Sequence, residues 1–343
     1  MNIYNYNLSN KELWEQFLEK FENIDFYFYP DFHDLYKLRY SKAQPNVWIF
    51  EEHDNIFLYP FNLTEIDLQI NQGKKFFDIS STYGFVGPIS TTNDPKFISA
   101  AWNEFDIWSN KNGIVLEFIR FNPLINNQKI SHKNTVIEFN RYVGISDYRH
   151  GENYFKDKIP SKTKNMIKKA SKNGFETKKI CFKEIKNDFL KIYRETMKRN
   201  KANTFFDYDE KYFEKLCDFN QTQFYGIFHE NNLVAGGIFF VTNGIASYHL
   251  GACKKEFLKF GLSNLYLYDA SLDFIKNEVN FMNLGGGRTT SNQDGLFKFK
   301  RDNSTEKKKF FIGKRIINSE IYNFISSKFG EKKKNSNRLI FYR

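Results

Sequence analysis

The sequence predicts an α+β fold: two tandem domains, each a mixed, mostly antiparallel sheet flanked by helices. Three observations predict it. Short apolar runs bounded by turn residues recur in both halves of the chain. In each half they lead into one amphipathic helix and then one more strand. Charge divides the chain near residue 150. Residues 1–150 hold 14 Lys+Arg against 19 Asp+Glu, whereas 151–343 hold 37 against 21, balances of −5 and +16. A length of 343 residues suits two domains. The expected division is 1–150, 151–315, and a terminal segment 316–343 packing back on the first domain.

In the first half, Val47-Trp48-Ile49-Phe50 and Ile56-Phe57-Leu58-Tyr59 read as strands joined through Glu51-Glu52-His53-Asp54-Asn55. Phe76-Phe77-Asp78-Ile79 is a third. A helix is expected from Pro95, a favourable first helical residue, to Asn112, with Gly113 just past its end. Phe97, Ala101, Phe105 and Trp108 follow its period. Ile114 to Phe121 is the closing strand.

The second half repeats this order. Amphipathic helices are expected at about 162–173 and 186–200. Phe224 to Phe228, Leu233 to Val241 and Ile245 to Ala252 form a meander, with Asn243-Gly244 as a hairpin signal. A helix then runs from Leu262 to Lys276, its apolar face marked by Leu265, Tyr268, Leu272 and Ile275. Phe281-Met282-Asn283-Leu284 is a short strand ending in Gly285-Gly286-Gly287. The result is an antiparallel meander closed by a helical crossover.

No apolar run approaches the ~18–20 residues that span a bilayer. The N-terminus, Met1 to Asn7, has neither a basic region nor an apolar stretch, so it is not a secretory signal. A cytoplasmic protein is expected. Cys181, Cys217 and Cys253 form no CxxC pair and read as buried reduced thiols. The 6 His are scattered without ligand spacing, so no metal is expected.

A meander, a glycine-bearing turn, a helix and one more strand can hold an acyl-CoA. The turn and helix start offer backbone N–H groups to a pyrophosphate. Here the turn runs from Lys254 to Ser263, with Lys259 and Gly261 inside it and Ser263 as the expected N-cap.

Asn283-Leu284-Gly285-Gly286-Gly287, followed by Asp294-Gly295-Leu296-Phe297-Lys298-Phe299-Lys300, resembles the signature of FemA/FemB-like proteins, a branch of the GNAT acyltransferase superfamily. Further segments match in order: Ser81 to Pro88, Glu117 to Pro123, Lys164 to Ala170, Tyr193 to Arg199 and Phe310 to Ile316. The resemblance runs from about residue 25 to the end. It implies tandem GNAT-like domains that transfer an acyl or aminoacyl group to an amine. Its best-known members use aminoacyl-tRNA to extend peptidoglycan peptides; many relatives resemble CoA-dependent N-acyltransferases. The long helical arm of the staphylococcal-type tRNA users is missing from this sequence.

The resemblance singles out Lys300, whose counterpart follows the glycine-rich strand end and faces the reacting carbonyl, where a lysine stabilises an oxyanion. Alternation over Leu296 to Lys300 puts Lys298 and Lys300 on one face of an expected strand. Gly285, Gly286 and Gly287 either admit a close-lying ligand or form a flexible loop. His249 is a candidate general base, or a core histidine, and Tyr248 a candidate proton donor to a leaving thiolate. Arg120, continuing an apolar strand face, needs a carboxylate or an anionic substrate as partner. Tyr83 is a second acceptor-site candidate. Thr196 and Arg199, three apart on one helical face, are candidates for acceptor contact.

Basic runs at 162–164, 168–169, 307–309 and 332–334 suit phosphorylated partners without choosing among them. The reading is an N-acyltransferase that moves an acyl group, acetyl by preference, from acyl-CoA to an amine. The acceptor would be an amino sugar or other cell-envelope precursor, nucleotide- or lipid-linked. Aminoacyl-tRNA is the alternative donor. A non-enzymatic protein binding single-stranded nucleic acid is the alternative of another class. No obligate protein partner is evident.

Overall fold

The structure, a computed structural model, describes residues 1–67, 74–330, 332 and 338–342. Lys333 and Lys334 of the last basic run lie outside the described residues. In chain order the elements are β1 Asn2–Asn7, α1 Lys11–Leu18, α2 Pro30–Lys37, β2 Gln44–Glu52, β3 Asn55–Glu65, β4 Phe77–Ser80, β5 Ile89–Ser90, α3 Pro95–Lys111, β6 Ile114–Arg120 and β7 Val136–Asp147. Then follow α4 Gly151–Lys158, α5 Ser161–Lys172, β8 Thr177–Ile180, α6 Phe182–Arg199, α7 Glu210–Cys217, β9 Thr222–His229, β10 Asn232–Thr242, β11 Ile245–Cys253, α8 Leu262–Lys276, β12 Phe281–Gly285, α9 Gly295–Arg301, β13 Glu306–Ile316 and α10 Ser319–Lys328. The class is α+β, with mixed sheets flanked by helices.

The chain divides into two compact units. One comprises Met1–Glu22, Tyr27–Asn140 and Phe310–Arg343; the other comprises Asn23–Phe26 and Arg141–Lys309.

In the first unit β1, β2, β3 and β4 form an antiparallel run, and β6 then pairs with β4 in parallel. Residues 312–316 of β13 pair antiparallel with β6. The parallel step requires a crossover, and α3 supplies it. Asp94 caps α3 by accepting from the Lys96 amide at 3.1 Å, Pro95 opens it, and Gly113 at φ +67° ends it. The helix lays Phe97, Ala101, Trp102 and Phe105 on Trp48, Phe57 and Tyr59 of the sheet. Edge-on packing of Phe105 against Trp48, 5.2 Å between ring centres, is the centre of this core.

The second unit uses the same order. β8, β9, β10 and β11 are antiparallel, β12 pairs with β11 in parallel after the α8 crossover, and residues 144–147 of β7 pair antiparallel with β12. Each unit therefore completes its sheet with a strand from outside its own meander. Asn243 and Gly244, at φ 45° and 70°, make the primed hairpin turn expected between β10 and β11. The buried face of α8 is rotated from the expected stripe: it holds Leu262, Leu265, Tyr266, Leu267, Ala270 and Phe274, and of the expected positions Tyr268, Leu272 and Ile275 are only half-buried at its edge.

Two expectations are corrected here. Residues 296–300 are helical rather than a strand, because Asp294 caps α9 by accepting from the Leu296 and Phe297 amides. Five residues of apolar–basic alternation carry too little length to outweigh a cap. The cysteines are free, but Cys253 is buried whereas Cys181, which precedes α6, is exposed and Cys217 lies between.

Candidate functional site

The two units differ where their parallel strands end. In the second, β11 and β12 pair only over Ile245–Phe281, Ala246–Met282 and Ser247–Asn283. β11 then continues to Cys253, while Gly285 at φ +76° turns the chain away at the end of β12. At the fork, the Ser247 Oγ and Asn283 Nδ2 are buried without a protein partner. In the first unit the corresponding strands stay tied beyond β4. Ser81 N donates to Phe118 O at 2.9 Å, Arg120 N to Ser81 Oγ at 3.0 Å, and Val86 N to Arg120 O at 2.8 Å.

A bulge in β11 shapes the fork. Ile238 pairs with Leu250 and Phe239 with Tyr248, so His249 has no counterpart on β10. Tyr248 packs on Phe239, 5.3 Å between rings, and its hydroxyl lies 2.8 Å from that of Tyr266 on α8. His249 packs on Phe240, 4.6 Å between rings, and its Nε2 lies 2.7 Å from the Tyr212 hydroxyl on α7. Phe239 and Phe240 point to opposite faces, and so do Tyr248 and His249. Room for the tyrosine pair comes from Gly237 and Gly251, which face each other across β10 and β11. A Cβ on Gly251 would meet the Tyr248 and Tyr266 hydroxyls, and one on Gly237 the Tyr266 ring at 2.6 Å.

Lys300, near the end of α9, reaches into this fork. Its Nζ would lie 3.2 Å from a Cβ on Gly285 and stands 5.7 Å from the centre of the Tyr248 ring. Loss of water around the ammonium lowers its pKa to about 8, an effect the Asp294 charge opposes. Burial, and then the Lys300 charge, lower His249 to about 3, so its ring is neutral at physiological pH. Burial raises Tyr248 to about 12. The fork thus holds an ammonium of lowered pKa above a phenol that keeps its proton, with the neutral His249 imidazole on the opposite face of β11.

Gly285, Gly286 and Gly287 form a packed segment. Arg141 of β7 donates to the Gly287 carbonyl at 2.7 Å, and its Cδ would meet a Cβ on Gly286 at 2.8 Å. Before α8, a 3-10 turn over Lys255–Phe260 leads to Gly261 at φ +71°. Gly261, rather than the expected Ser263, occupies the N-cap, because Leu262 is already helical. Ser263 lies inside the first turn and hydrogen-bonds Tyr266. Lys259 is exposed over the Phe260 ring, and its carbonyl accepts from Lys169 of α5 at 2.8 Å.

Thr196 and Arg199 converge on one backbone carbonyl. The Thr196 hydroxyl donates to Cys253 O at 3.2 Å and Arg199 Nη2 at 3.0 Å, pinning α6 to the end of β11. In the first unit, Arg120 donates to the Gly84 carbonyl at 2.8 Å and lies over the rings of Tyr83, Phe85 and Phe310. The structure therefore brings Lys300, Tyr248 and Gly285 together, leaves His249 on the opposite face of β11 against Tyr212 and Phe240, and separately joins Arg120 with Tyr83.

Sequence reasoning missed Tyr266, Tyr212, Arg141 and the cap made by Asp294. The Asp294-Gly295 pair ahead of an apolar run was a readable cap signal. Tyr212 and Arg141 meet the site across 37 and 146 residues, which no local pattern encodes.

No family model matches the sequence, and no curated protein matches it significantly. Solved structures do. FemX superposes with a TM-score of 0.70 at 11% identity, over 95% of this chain and 100% of that one. L-PGS from Bacillus licheniformis gives 0.57 at 14% identity, over 97% and 98%. A conserved protein of unknown function from Bacteroides thetaiotaomicron gives 0.54 at 11%, over 92% and 99%. With its forked second sheet and its match to FemX over nearly the whole of both chains, this protein has the fold seen in FemX.

Proposed function

We propose that the protein is an N-acyltransferase that moves an acyl group, acetyl by preference, from acyl-CoA to an amine of a cell-envelope precursor. The observation that carries this reading is the fork between β11 and β12 with the Lys300 ammonium at its mouth. Parted parallel strands expose backbone hydrogen-bonding groups that an extended thioester arm can pair with. The Gly261 turn and the start of α8, with Lys259 and Ser263 beside it, would take the pyrophosphate. Gly285, Gly286 and Gly287 would border the acyl group.

In the reaction the neutral amine attacks the thioester carbonyl. The C–N bond forms as the carbonyl π electrons move to oxygen, and Lys300 stabilises that oxyanion. The C–S bond then breaks. Tyr248 protonates the departing thiolate and is reprotonated from solvent, to which the surplus amine proton leaves; His249, lowered to about 3 by burial and on the other sheet face, is too weak a base to take it. Thr196 and Arg199 would hold the β11 end in place. The reading assigns the protein to the cytoplasm; among the described residues no helix is long and apolar enough to cross a membrane.

The FemX likeness keeps aminoacyl-tRNA as a second donor reading, since the sequence resemblance implies it for the best-known members. One experiment separates them. Purified protein is titrated with acetyl-CoA by calorimetry, then incubated with labelled acetyl-CoA or labelled aminoacyl-tRNA and a panel of amino sugars and lysyl peptides. Acetyl-CoA binding and acetyl transfer support the reading. Transfer from tRNA alone replaces the donor. Tight, steeply salt-dependent binding of random RNA with no transfer from either donor would sink the enzyme reading.

A further inference from the structure

The loop between the glycine segment and α9 is organised around one carboxylate. Asp294 Oδ1 accepts from the amides of Leu296 at 2.9 Å and Phe297 at 3.0 Å, fixing the first turn of α9. Its Oδ2 accepts from the Thr289 amide at 3.1 Å and the Thr289 hydroxyl at 3.3 Å, closing the segment that leaves β12. The same carboxylate lies against Gly287, where any Cβ would collide with Oδ1. At the other end of α9, the Lys300 carbonyl would lie 3.1 Å from a Cβ on Gly144 of β7, so the helix is seated at both ends.

We propose that Asp294 is the positioning residue for Lys300: it locks α9 onto the Gly285–Gly287 segment and supplies the negative charge that acts on the Lys300 ammonium. This rests on the catalytic reading of Lys300 given above. The charged and titratable groups around that ammonium come from several elements. β11 contributes Tyr248 and His249, and α8 contributes Tyr266 behind Tyr248. β7 contributes Arg141, which is directed to the Gly287 carbonyl. Lys298 and Arg301 of the same helix are exposed. His249 and Tyr248 are neutral at physiological pH, so among these groups Asp294 is the one that bears a negative charge.

The test compares Asp294→Asn with Asp294→Ala in the full chain. Asparagine still accepts from helix amides as an N-cap, so it removes the charge and keeps the cap; alanine removes both. The first readout is the titration midpoint of the Lys300 side chain by NMR with isotopically labelled lysine, assigned through Lys300→Arg. In Asp294→Asn the midpoint should fall by about one unit below the parent's. The alkaline limb of kcat should move down with it, while KM for the donor stays within about twofold. Thr289→Val loosens the same carboxylate without removing its charge and should leave the midpoint at the parent value. An unchanged midpoint in Asp294→Asn, or an equal fall in Thr289→Val, overturns the proposal whatever happens to turnover. Because the NMR midpoint needs no substrate, failure of the acyltransferase reading and failure of the Asp294 role are separately visible.

Discussion

The Lys300 ammonium stands 5.7 Å above the centre of the Tyr248 ring, at the point where β11 and β12 part. A cation over an aromatic face keeps part of its stabilisation after losing water. Burial nevertheless dominates and brings the ammonium to about 8.

Replacing Lys300 by alanine should lower kcat by about 10²–10³-fold, the usual effect of removing an oxyanion partner. Affinity for the donor should hold, because the proposed phosphate contacts lie at the Gly261 turn. Single-turnover kinetics beside calorimetry would separate the two. Near-normal turnover would remove Lys300 from the chemistry.

The same residue should weaken the fold. Its pKa is about 8 in the folded protein, against ~10.4 unfolded. Between those values the unfolded chain binds more protons, so stability rises with pH across that window. Below it the full penalty remains. Lys300→Met should therefore raise the thermal midpoint at pH 7, and the gain should shrink as pH climbs from 8 towards 10.5. A gain independent of pH would show that packing rather than charge is responsible.

His33 and His249 should both oppose folding in acid. Burial lowers each to about 3, against ~6.5 unfolded. Falling pH through that interval protonates the unfolded chain first, so stability declines from about pH 6.5 down to 3. His249→Phe keeps an aromatic ring against Phe240 and should flatten part of this decline. Urea midpoints at pH 4.5 and 7.5 would reveal it; an unaltered difference between them would count against burial as the cause.

Gly251→Ala should cost about 1–3 kcal/mol and displace the tyrosine pair, as overpacking does. The clash is with the Tyr248 and Tyr266 hydroxyls. Adding Tyr248→Phe should restore part of the stability, although the ring carbon beneath remains close. No recovery in thermal unfolding of the double variant would place the strain in the backbone.

In the first unit, Arg315 reaches Glu117 at 2.6 Å and Asp106 at 2.7 Å, with Glu117 fully buried. Arg315→Met strands that carboxylate and should cost about 3–5 kcal/mol. The double change Arg315→Met with Glu117→Leu should recover most of it. A double variant as unstable as the single one would assign the loss to packing of the Arg315 stem on Trp102 and Phe105.

Local patterns in the sequence determined most elements that recur in both units. α3 lies within one residue of its expected end because Asp94, Pro95 and Gly113 punctuate it locally. α8 runs from Leu262 to Lys276 as its apolar period and the glycine before it require. The β10–β11 hairpin follows from Asn243-Gly244, whose backbone tolerates positive φ. The glycine run and the Lys300 segment were visible as motifs before any fold was known.

Tertiary structure decided what those motifs do. α9 is a helix because one side chain caps it, a choice that five alternating residues leave open. His249 and Tyr248 are sequence neighbours, yet they face opposite sides of a sheet and meet partners 37 and 18 residues away. The fork exists because β12 turns off at Gly285 while β11 runs on, and strand divergence is a property of pairing, which no single strand encodes. Charge arithmetic located the basic half of the chain. Lys300 is half-buried, and the loss of water that brings it to about 8 arises only where β11, β12 and α9 meet.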